Sequence, residues 1–231
     1  MTELRHVYES KETGYFQSPR EDLIELINGT GLTILDIGCG AGATGKRLLE
    51  TGKAKWVTGV ELIPAQAAIA RQSLSQVLVG DISQIKLDWP PEYFDCIIAG
   101  DVLEHLASPG SILRILRQFL RADGLLIASI PNVRHWWVVR DLVIRGEWRY
   151  AASGVMDETH LRFFTKRSAC RLLRESGFAI YSVRPHFWGP RTRLANRLTL
   201  GLLEEFLSLR WLIQARPQPA LDGRVVNRYA S

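Results

Sequence analysis

Glycines and acidic residues cluster where one apolar run of the chain ends. The segment Asp36–Gly42 places glycines at Gly38, Gly40 and Gly42, each separated by one residue. Such glycines let the backbone turn sharply and let a ligand approach it closely. A second apolar run ends in Glu61, where a carboxylate can accept hydrogen bonds from ribose hydroxyls. The pattern predicts a nucleotide-containing ligand.

The spacing of the glycines leaves two classes of ligand open. A dinucleotide site typically reads Gly-x-Gly-x-x-Gly, whereas this loop reads Gly-x-Gly-x-Gly, with Gly45 at a further offset. Asp36 favours the other class, because its carboxylate would repel a pyrophosphate but hold the amino group of a methionine moiety. A nicotinamide-dependent oxidoreductase, and a tight turn that binds no ligand, are the alternatives.

Short apolar runs alternate with helical patterns, which predicts a parallel sheet covered by crossover helices. The predicted strands are Thr33–Ile37, Trp56–Glu61, Val77–Val79, Phe94–Ala99, Leu125–Ile130, Phe178–Arg184 and Trp211–Arg216. The predicted helices are Glu21–Ile27, Thr44–Glu50, Ala65–Ser73, one from Ser108 to Asp123-Gly124, Lys166–Ser176 and Arg191–Leu209. The first five strands are rich in Ile, Val and Leu and have apolar residues on both faces, so we expect them to be buried on both sides.

Residues typical of helix ends flank several of these helices. Gly52 and Gly177 suit a left-handed exit, and Pro64 suits a first helical turn. Ser108 and Thr165 are predicted N-caps. The core-facing stripe predicted for the helix after Ser108 is Ile112, Ile115, Leu116, Phe119 and Leu120.

The series of motifs resembles class I S-adenosylmethionine-dependent methyltransferases. After Asp36–Gly42 and Glu61 come Gly80-Asp81-Ile82, the segment Phe94–Leu106 and the segment Asp123–Asn132, in the order of that family. The resemblance implies an α/β, Rossmann-like fold with a seven-stranded, mostly parallel sheet flanked by helices. The implied strand order is 3-2-1-4-5-7-6, with the last strand antiparallel. It also implies S-adenosylmethionine as the cofactor.

The resemblance assigns the residues expected to contact this cofactor. Asp81 is expected at the adenine amino group, and the segment around Asp101 and His105 is expected to flank the cofactor. Tyr15 either covers the sulfonium or packs against the first helix. The expected cofactor-binding residues are Asp36, Gly38, Cys39, Gly40, Gly42, Glu61, Leu62, Gly80, Asp81, Ile82, Asp101, Val102, His105 and Tyr15.

A candidate general base lies in the long segment after the fifth strand. His160 stands in a polar cluster within Gly154–Thr165, and an imidazole titrates near neutral pH. His135 is the second candidate, and a purely structural role for His160 is the alternative. Asp157 and His160 make half of a metal site, and the sequence shows no partners for them, so no metal is expected.

The resemblance also suggests how the chain is divided. The segment Gly154–Thr165 resembles a bacterial subgroup whose members modify glycans or small metabolites. A single methyltransferase domain is expected over residues 1–231, with an N-terminal lid and helix at 1–28, an acceptor-side insertion at 131–165 and an additional helix at 191–209. The apolar run that begins at Trp136 is expected to face the core or a dimer partner, with an interfacial helix as the alternative.

Composition limits the partners. The net charge of +5 comes from dispersed arginines without a dense basic block, so no nucleic acid is expected. Three scattered cysteines fit a reducing cytoplasm, the expected location. No apolar run approaches the roughly 18 residues of a membrane span, which leaves peripheral membrane contact as a lesser possibility. A monomer or a homodimer is expected.

The function that these features favour is O-methylation of a hydroxyl on a small molecule or saccharide, with S-adenosylmethionine as donor. N- or C-methylation of a small metabolite is the nearest alternative. The oxidoreductase, and a module that binds the cofactor without catalysis, are the others.

Overall fold

A seven-stranded sheet forms the centre of the fold in the structure, a computed structural model that describes residues 18–219. The strands are β1 Leu32–Ile37, β2 Ala54–Glu61, β3 Gln76–Val79, β4 Phe94–Gly100, β5 Leu120–Pro131, β6 Phe178–Phe187 and β7 Ser208–Pro217. Their order is β3-β2-β1-β4-β5-β7-β6, and β7 runs antiparallel to both of its neighbours. The predicted topology is confirmed. Tyr15 lies outside the described residues.

The parallel strands bring the expected ligand-binding residues to one edge of the sheet. β1 pairs with β2 on one side and with β4 on the other. The chain therefore adds strands outward in one direction from β1 to β3, and in the opposite direction from β4 onward. Ligands of open α/β sheets bind outside the carboxyl ends of the strands at such a point. We call this the carboxyl edge; Ile37, Glu61, Val79, Gly100 and Pro131 end their strands there.

Helices cover both faces of the sheet. They are α1 Glu21–Ile24, α2 Ala43–Glu50, α3 Pro64–Ala70, α4 Pro109–Phe119, α5 Trp136–Arg140, α6 Lys166–Glu175, α7 Gly189–Leu198 and α8 Glu204–Leu207, with a 3-10 turn at Leu103–His105 and a π-helical turn at Asp141–Arg145. Within residues 18–219, no helix has the length and apolar character needed to cross a bilayer.

Several predicted helix ends are confirmed. Pro64 begins α3, and Thr165 forms a capping box with Ser168 at the start of α6. Gly52 and Gly177 take the left-handed conformation, with φ of 69° and 85°. The two helices therefore end next to the glycines that the sequence predicts as left-handed exit residues.

Alternate residues of the central strands pack into two hydrophobic clusters, one on each face of the sheet. On β4, Ile97 packs on the face covered by Leu113 of α4, whereas Cys96 and Ile98 pack with Leu23 on the opposite face. All five are almost fully buried. This two-sided burial confirms the prediction for β4, whereas β3, at the edge of the sheet, is only half-buried and Trp56 of β2 is 40% exposed.

The boundary between α4 and β5 differs from the prediction. The helix ends at Phe119, before the predicted stop at Asp123-Gly124, because Leu120 already pairs with Phe94 across an irregularity in the β4–β5 register. Ser108 occupies the N-cap position, but its side chain makes no capping hydrogen bond. Ile115, predicted on the core-facing stripe, is 42% exposed.

The single helix predicted over Arg191–Leu209 is wrong. The chain forms α7, turns through Leu200 and Gly201 with φ of 51° and 81°, and then forms the short α8 before β7 begins at Ser208. Consecutive left-handed residues cannot continue an α-helix. The leucines that suggested one apolar stripe are exposed: Leu194 by 58%, Leu198 by 75% and Leu202 by 84%.

Asn132 fixes the turn from α8 into β7. Its fully buried amide Nδ2 donates to the backbone oxygens of Glu205 at 2.7 Å and Ser208 at 2.8 Å. Its Oδ1 accepts from the backbone N–H of Arg134 at 3.2 Å. One side chain therefore ties the end of β5 to the start of β7.

Replacing Asn132 by alanine removes the donors from two backbone carbonyls. We expect Asn132→Ala to lower the free energy of unfolding by about 2–3 kcal/mol in urea titrations, because unpaired buried polar groups are costly. Gln118→Ala is the control, since Gln118 is exposed and its side chain makes no hydrogen bond among the described residues; its effect should stay within about 0.5 kcal/mol. Equal losses in the two variants would contradict the anchoring role.

Candidate active site

The glycine loop connects β1 to α2 at the carboxyl edge. Gly38, Gly40 and Gly42 all have positive φ, at 68°, 55° and 83°. A Cβ atom on Gly38 would lie 2.6 Å from Cγ2 of Val102, so a larger residue at that position would have to displace the Val102 side chain. The three positive φ angles are the sharp turn that the glycine pattern predicts.

Glu61 is held in place by the backbone of this loop. Its Oε2 accepts a hydrogen bond from the Gly40 N–H at 2.8 Å, and its Oε1 accepts one from the Ile63 N–H at 2.8 Å. Each carboxylate oxygen keeps a second lone pair for a ligand hydroxyl. Burial raises the pKa of Glu61, although these backbone donors oppose the shift. Leu62, beside it, is 38% exposed.

Asp36 lies close to Glu61 and is also buried. Among residues 18–219, no side chain or backbone group donates a hydrogen bond to its carboxylate. Burial, and secondarily the negative charge of Glu61, raise the pKa of Asp36 to about 7, while Arg20 opposes this shift. Two desolvated carboxyl groups therefore lie next to each other, and a cationic ligand would stabilise their ionised forms.

The end of β3 is joined to the end of β2. Gly80, with φ of 145°, donates its N–H to the Glu61 carbonyl at 2.8 Å. Asp81 accepts hydrogen bonds from the backbone N–H of Ser83 at 2.9 Å and from the Ser83 hydroxyl. Ile82 is buried. The predicted Gly80-Asp81-Ile82 motif thus lies next to Glu61 on the carboxyl edge.

Asp101 is neutralised by two arginines. Arg20 and Arg210 each place Nη1 2.5 Å from its Oδ2, and the Ser129 hydroxyl donates to its Oδ1 at 2.7 Å. Burial alone would raise the pKa of Asp101, but the two guanidinium groups hold it below its usual range. Asp101 also has φ of 57°, which is uncommon for a residue other than glycine and is concentrated at functional sites.

The insertion after β5 brings His160 onto the loop after β4. A ring nitrogen of His160, a ring nitrogen of His105 and a carboxylate oxygen of Glu104 all lie within 4.8 Å of one another. His160 Nε2 is 3.9 Å from Glu104 Oε1, and the two imidazole centroids are 4.7 Å apart. The backbone N–H groups of Leu161 and Arg162 donate to the Glu104 carbonyl. We call Glu104, His105 and His160 the Glu-His-His cluster.

The tautomers of the two histidines follow from their hydrogen bonds. His160 Nδ1 donates to the Val155 carbonyl at 3.0 Å, and His105 Nδ1 donates to the Thr159 carbonyl at 3.1 Å. A carbonyl oxygen can only accept, so both Nδ1 atoms carry a proton, and in the neutral rings Nε2 carries the lone pair. His160 is therefore set up as a proton acceptor or ligand at Nε2.

His135 has different surroundings. It is buried against the rings of Trp136 and Trp137, and neither of its ring nitrogens has a hydrogen-bond partner. Burial lowers the pKa of His135 to about 4, so the ring is neutral near pH 7 and is a weak proton acceptor. Of the two predicted catalytic histidines, only His160 belongs to the Glu-His-His cluster.

Sequence reasoning alone did not identify Glu104, Arg20 or Arg210 as site residues. Glu104 adjoins His105 in the segment that resembles the methyltransferase family, and the acid next to a histidine was the available signal. Arg20 lies within the segment 1–28, for which the sequence predicts a lid and a helix but no ion pair. Arg210 reaches Asp101 from β7, and no motif links these two residues in the sequence.

The comparison with protein families agrees with this geometry. A family model described as a methyltransferase domain matches residues 8–183, which is most of the chain. The chain belongs to this methyltransferase family. It is an S-adenosylmethionine-dependent methyltransferase, and S-adenosylmethionine is its cofactor. The oxidoreductase and non-catalytic alternatives are thereby excluded.

Curated relatives of this methyltransferase are named for O-methylation. It is 26% identical over 178 residues to the ubiquinone biosynthesis O-methyltransferase of Aeromonas salmonicida, a match covering 74% of this chain and 71% of that protein. It is 35% identical over 115 residues to the enzyme of that name from Bradyrhizobium diazoefficiens, which covers 46% of this chain and 42% of the relative. The second match spans less than half of the relative.

Solved structures share the fold. An S-adenosylmethionine-dependent methyltransferase from Mesorhizobium loti superposes with a TM-score of 0.60 at 20% identity, covering 85% of this chain and 96% of that one. A structure from Listeria monocytogenes described as a putative enzyme of this class gives a TM-score of 0.61 at 20% identity, covering 86% and 96%. These likenesses support the Rossmann-like architecture.

The raised pKa of Asp36 has a consequence for stability. When the pKa of a carboxyl group is higher in the folded than in the unfolded protein, the free energy of unfolding falls as the pH rises from the unfolded-state pKa through the folded-state pKa. We expect Asp36→Asn to remove this loss. Without cofactor, the variant should be more stable than the wild type by about 2–4 kcal/mol at pH 8, and by much less at pH 5.

Urea titrations of both proteins at the two pH values measure this difference. Asp88→Asn is the matched control, because it makes the same chemical change at an exposed carboxylate. If the stability difference between Asp36→Asn and wild type were the same at pH 5 and pH 8, the buried, protonated state of Asp36 would be contradicted.

Proposed function

We propose that the protein transfers the methyl group of S-adenosylmethionine to a hydroxyl oxygen of a small-molecule acceptor. The observation that carries this proposal is the Glu-His-His cluster, which places a histidine with a defined tautomer next to the loop after β4. A hydroxyl needs its proton removed as it attacks, so a proton acceptor distinguishes O-methylation from simple alignment. The names of the curated relatives support the same acceptor atom.

We propose that the acids of the carboxyl edge hold the cofactor. Glu61 would accept hydrogen bonds from the two ribose hydroxyls, and Asp36 would bind the ammonium of the methionine moiety. Asp81 would contact the adenine amino group. Gly38, Cys39, Gly40, Gly42, Leu62, Gly80, Ile82, Asp101, Val102 and His105 would line the rest of the cofactor site, as the sequence predicts.

In the transfer step, the acceptor oxygen attacks the methyl carbon in line with the carbon–sulfur bond. The oxygen–carbon bond forms while the carbon–sulfur bond breaks, and the electron pair stays on sulfur as a neutral thioether. In the simplest form of the proposal, the hydroxyl proton moves to His160 Nε2. Glu104, 3.9 Å away, would stabilise the resulting imidazolium. Alignment of the reactants supplies the larger part of the rate enhancement, on the order of 7–11 kcal/mol at best.

The acceptor would enter from the side of the insertion. Pro131–Thr165 contributes His160 together with exposed aromatic side chains, among them Trp148 and Tyr150. Aromatic faces suit either a phenolic ring or a sugar, so both classes belong in a test panel.

We further propose a reducing compartment such as the cytoplasm, since Cys39, Cys96 and Cys170 are free thiols. The role of His135 stays a prediction.

Formation of the demethylated cofactor tests this function. Phenols, quinols, saccharides and amines would be supplied separately with S-adenosylmethionine, and product cofactor would be measured by mass spectrometry. We expect turnover with a hydroxyl-bearing acceptor and methylation at oxygen. Methylation confined to amines, or to carbon, would contradict the proposal while leaving the methyltransferase family unaffected.

Removal of the His160 imidazole separates catalysis from cofactor binding. We expect His160→Ala to lower kcat by about 10²–10⁴-fold, the range for loss of a general base. The affinity for the demethylated cofactor, measured by calorimetry, should change less than about threefold. Glu158→Ala alters an exposed neighbour in the same loop and should keep wild-type turnover. Full activity of His160→Ala would remove this residue from the mechanism.

A further inference from the structure

Asp101 begins the loop after β4 in a backbone conformation that needs support. Its φ of 57° lies in the left-handed region, where a residue other than glycine is strained unless its surroundings hold it. Its N–H donates to the Ser129 carbonyl at 3.0 Å, and the Ser129 hydroxyl donates to its Oδ1 at 2.7 Å. The conformation of this one residue sets the direction in which the loop leaves the sheet.

Two parts of the active site depend on that direction. One residue after Asp101, the Val102 side chain lies so close to Gly38 that a Cβ atom there would approach it to 2.6 Å. Three residues after Asp101, the Glu104 carboxylate lies 3.9 Å from His160 Nε2. A change of backbone conformation at Asp101 would therefore move one wall of the glycine loop and one member of the Glu-His-His cluster together.

Two arginines hold the Asp101 carboxylate from opposite sides. Arg20, in the turn before α1, shares its guanidinium among Asp101, both carboxylate oxygens of Asp22 and the Ser129 hydroxyl. Arg210 comes from β7 and places Nη1 2.5 Å from Asp101 Oδ2. Within residues 18–219, the Arg210 side chain makes no other hydrogen bond, so its guanidinium is committed to Asp101.

The backbone of Arg210 is a fixed base for this contact. β7 lies between two strands, and Arg210 pairs with Pro131 of β5 on one side and with His186 of β6 on the other. The Ser208 hydroxyl also donates to the Arg210 carbonyl at 2.8 Å. Asn132 in turn holds the Ser208 carbonyl. The guanidinium therefore projects from a backbone that is restrained on every side where hydrogen bonds are made.

We propose that Arg210 is a positioning residue for methyl transfer. By holding Asp101 in its left-handed conformation, Arg210 keeps the loop after β4 against the glycine loop and keeps Glu104 beside His160. A hydrogen bond between a guanidinium and a carboxylate is stronger than one between neutral groups, which suits this task. Arg20 remains when Arg210 is removed, so the support is weakened rather than abolished.

The two consequences of this proposal have different foundations. The effect on His160 rests on the proposed function, because it concerns removal of a hydroxyl proton. The effect on the glycine loop does not, because affinity for the demethylated cofactor is measured without an acceptor. Failure of the proposed O-methylation would leave the second effect in place.

Calorimetric titration with the demethylated cofactor tests the positioning role. We expect Arg210→Met to weaken its binding by about 10–100-fold, the worth of a hydrogen bond to a charged group. Arg210→Lys should bind within about fivefold of the wild type, because the contact uses one nitrogen and an ammonium can replace it. Arg197→Met is the control: Arg197 is exposed in the segment between β6 and β7, and its loss should leave the affinity unchanged.

The Asp101→Gly background shows whether Arg210 acts through Asp101. Glycine takes a positive φ without strain and has no carboxylate for Arg210 to hold. In this background, Arg210→Met should lower the affinity by less than about threefold, with urea titrations showing that each variant is folded. Equal losses in the two backgrounds, or wild-type affinity for Arg210→Met alone, would overturn the proposal.

Turnover tests the consequence at His160. With a hydroxyl-bearing acceptor and saturating S-adenosylmethionine, kcat of Arg210→Met should fall, and Arg210→Lys should restore most of it. An unchanged kcat under these conditions would overturn the part of the proposal that concerns Glu104 and His160.

Discussion

The burial of two neighbouring carboxylates, Asp36 and Glu61, is the constraint on which the rest of the site depends. Both lie at the carboxyl edge, and burial raises the pKa of each. The backbone of Gly40 and Ile63 fixes Glu61, so it cannot move away from Asp36. Folding therefore places two desolvated carboxyl groups next to each other, and S-adenosylmethionine carries the ammonium and the sulfonium that we propose compensate their charge.

The acidic residues at the carboxyl edge differ in their charged and hydrogen-bonding partners. Asp101, at the end of β4, has Arg20 and Arg210 as permanent counter-ions, and its pKa is held low. Glu104, three residues later, has no hydrogen-bond partner for its carboxylate within residues 18–219. This contrast separates an acid that braces the fold from acids that await a ligand. We propose that the cofactor compensates Asp36 and Glu61, and that the imidazolium of His160 compensates Glu104 during methyl transfer.

Local sequence patterns predicted the features that depend on neighbouring residues. The seven strands, the glycine loop and the cap at Thr165 follow from short-range patterns and were found as predicted, whereas the strand order was implied by the family resemblance. The helix over Arg191–Leu209 failed because Asn132, distant in sequence, anchors the turn before β7. The Glu-His-His cluster was missed for the same physical reason: Glu104 and His160 meet only when the insertion folds back onto the loop after β4.

Proton release on cofactor binding tests the central claim most directly. Calorimetric titration of S-adenosylmethionine at pH 7, in buffers of different ionisation enthalpy, measures the protons released per cofactor bound. With a pKa of about 7, Asp36 is half protonated at this pH and must ionise to hold an ammonium. We expect ionisation of Asp36 to release about half a proton per cofactor bound in the wild type, and this release to be absent in Asp36→Asn. Binding with no proton exchange, or identical release by the two proteins, would contradict the account.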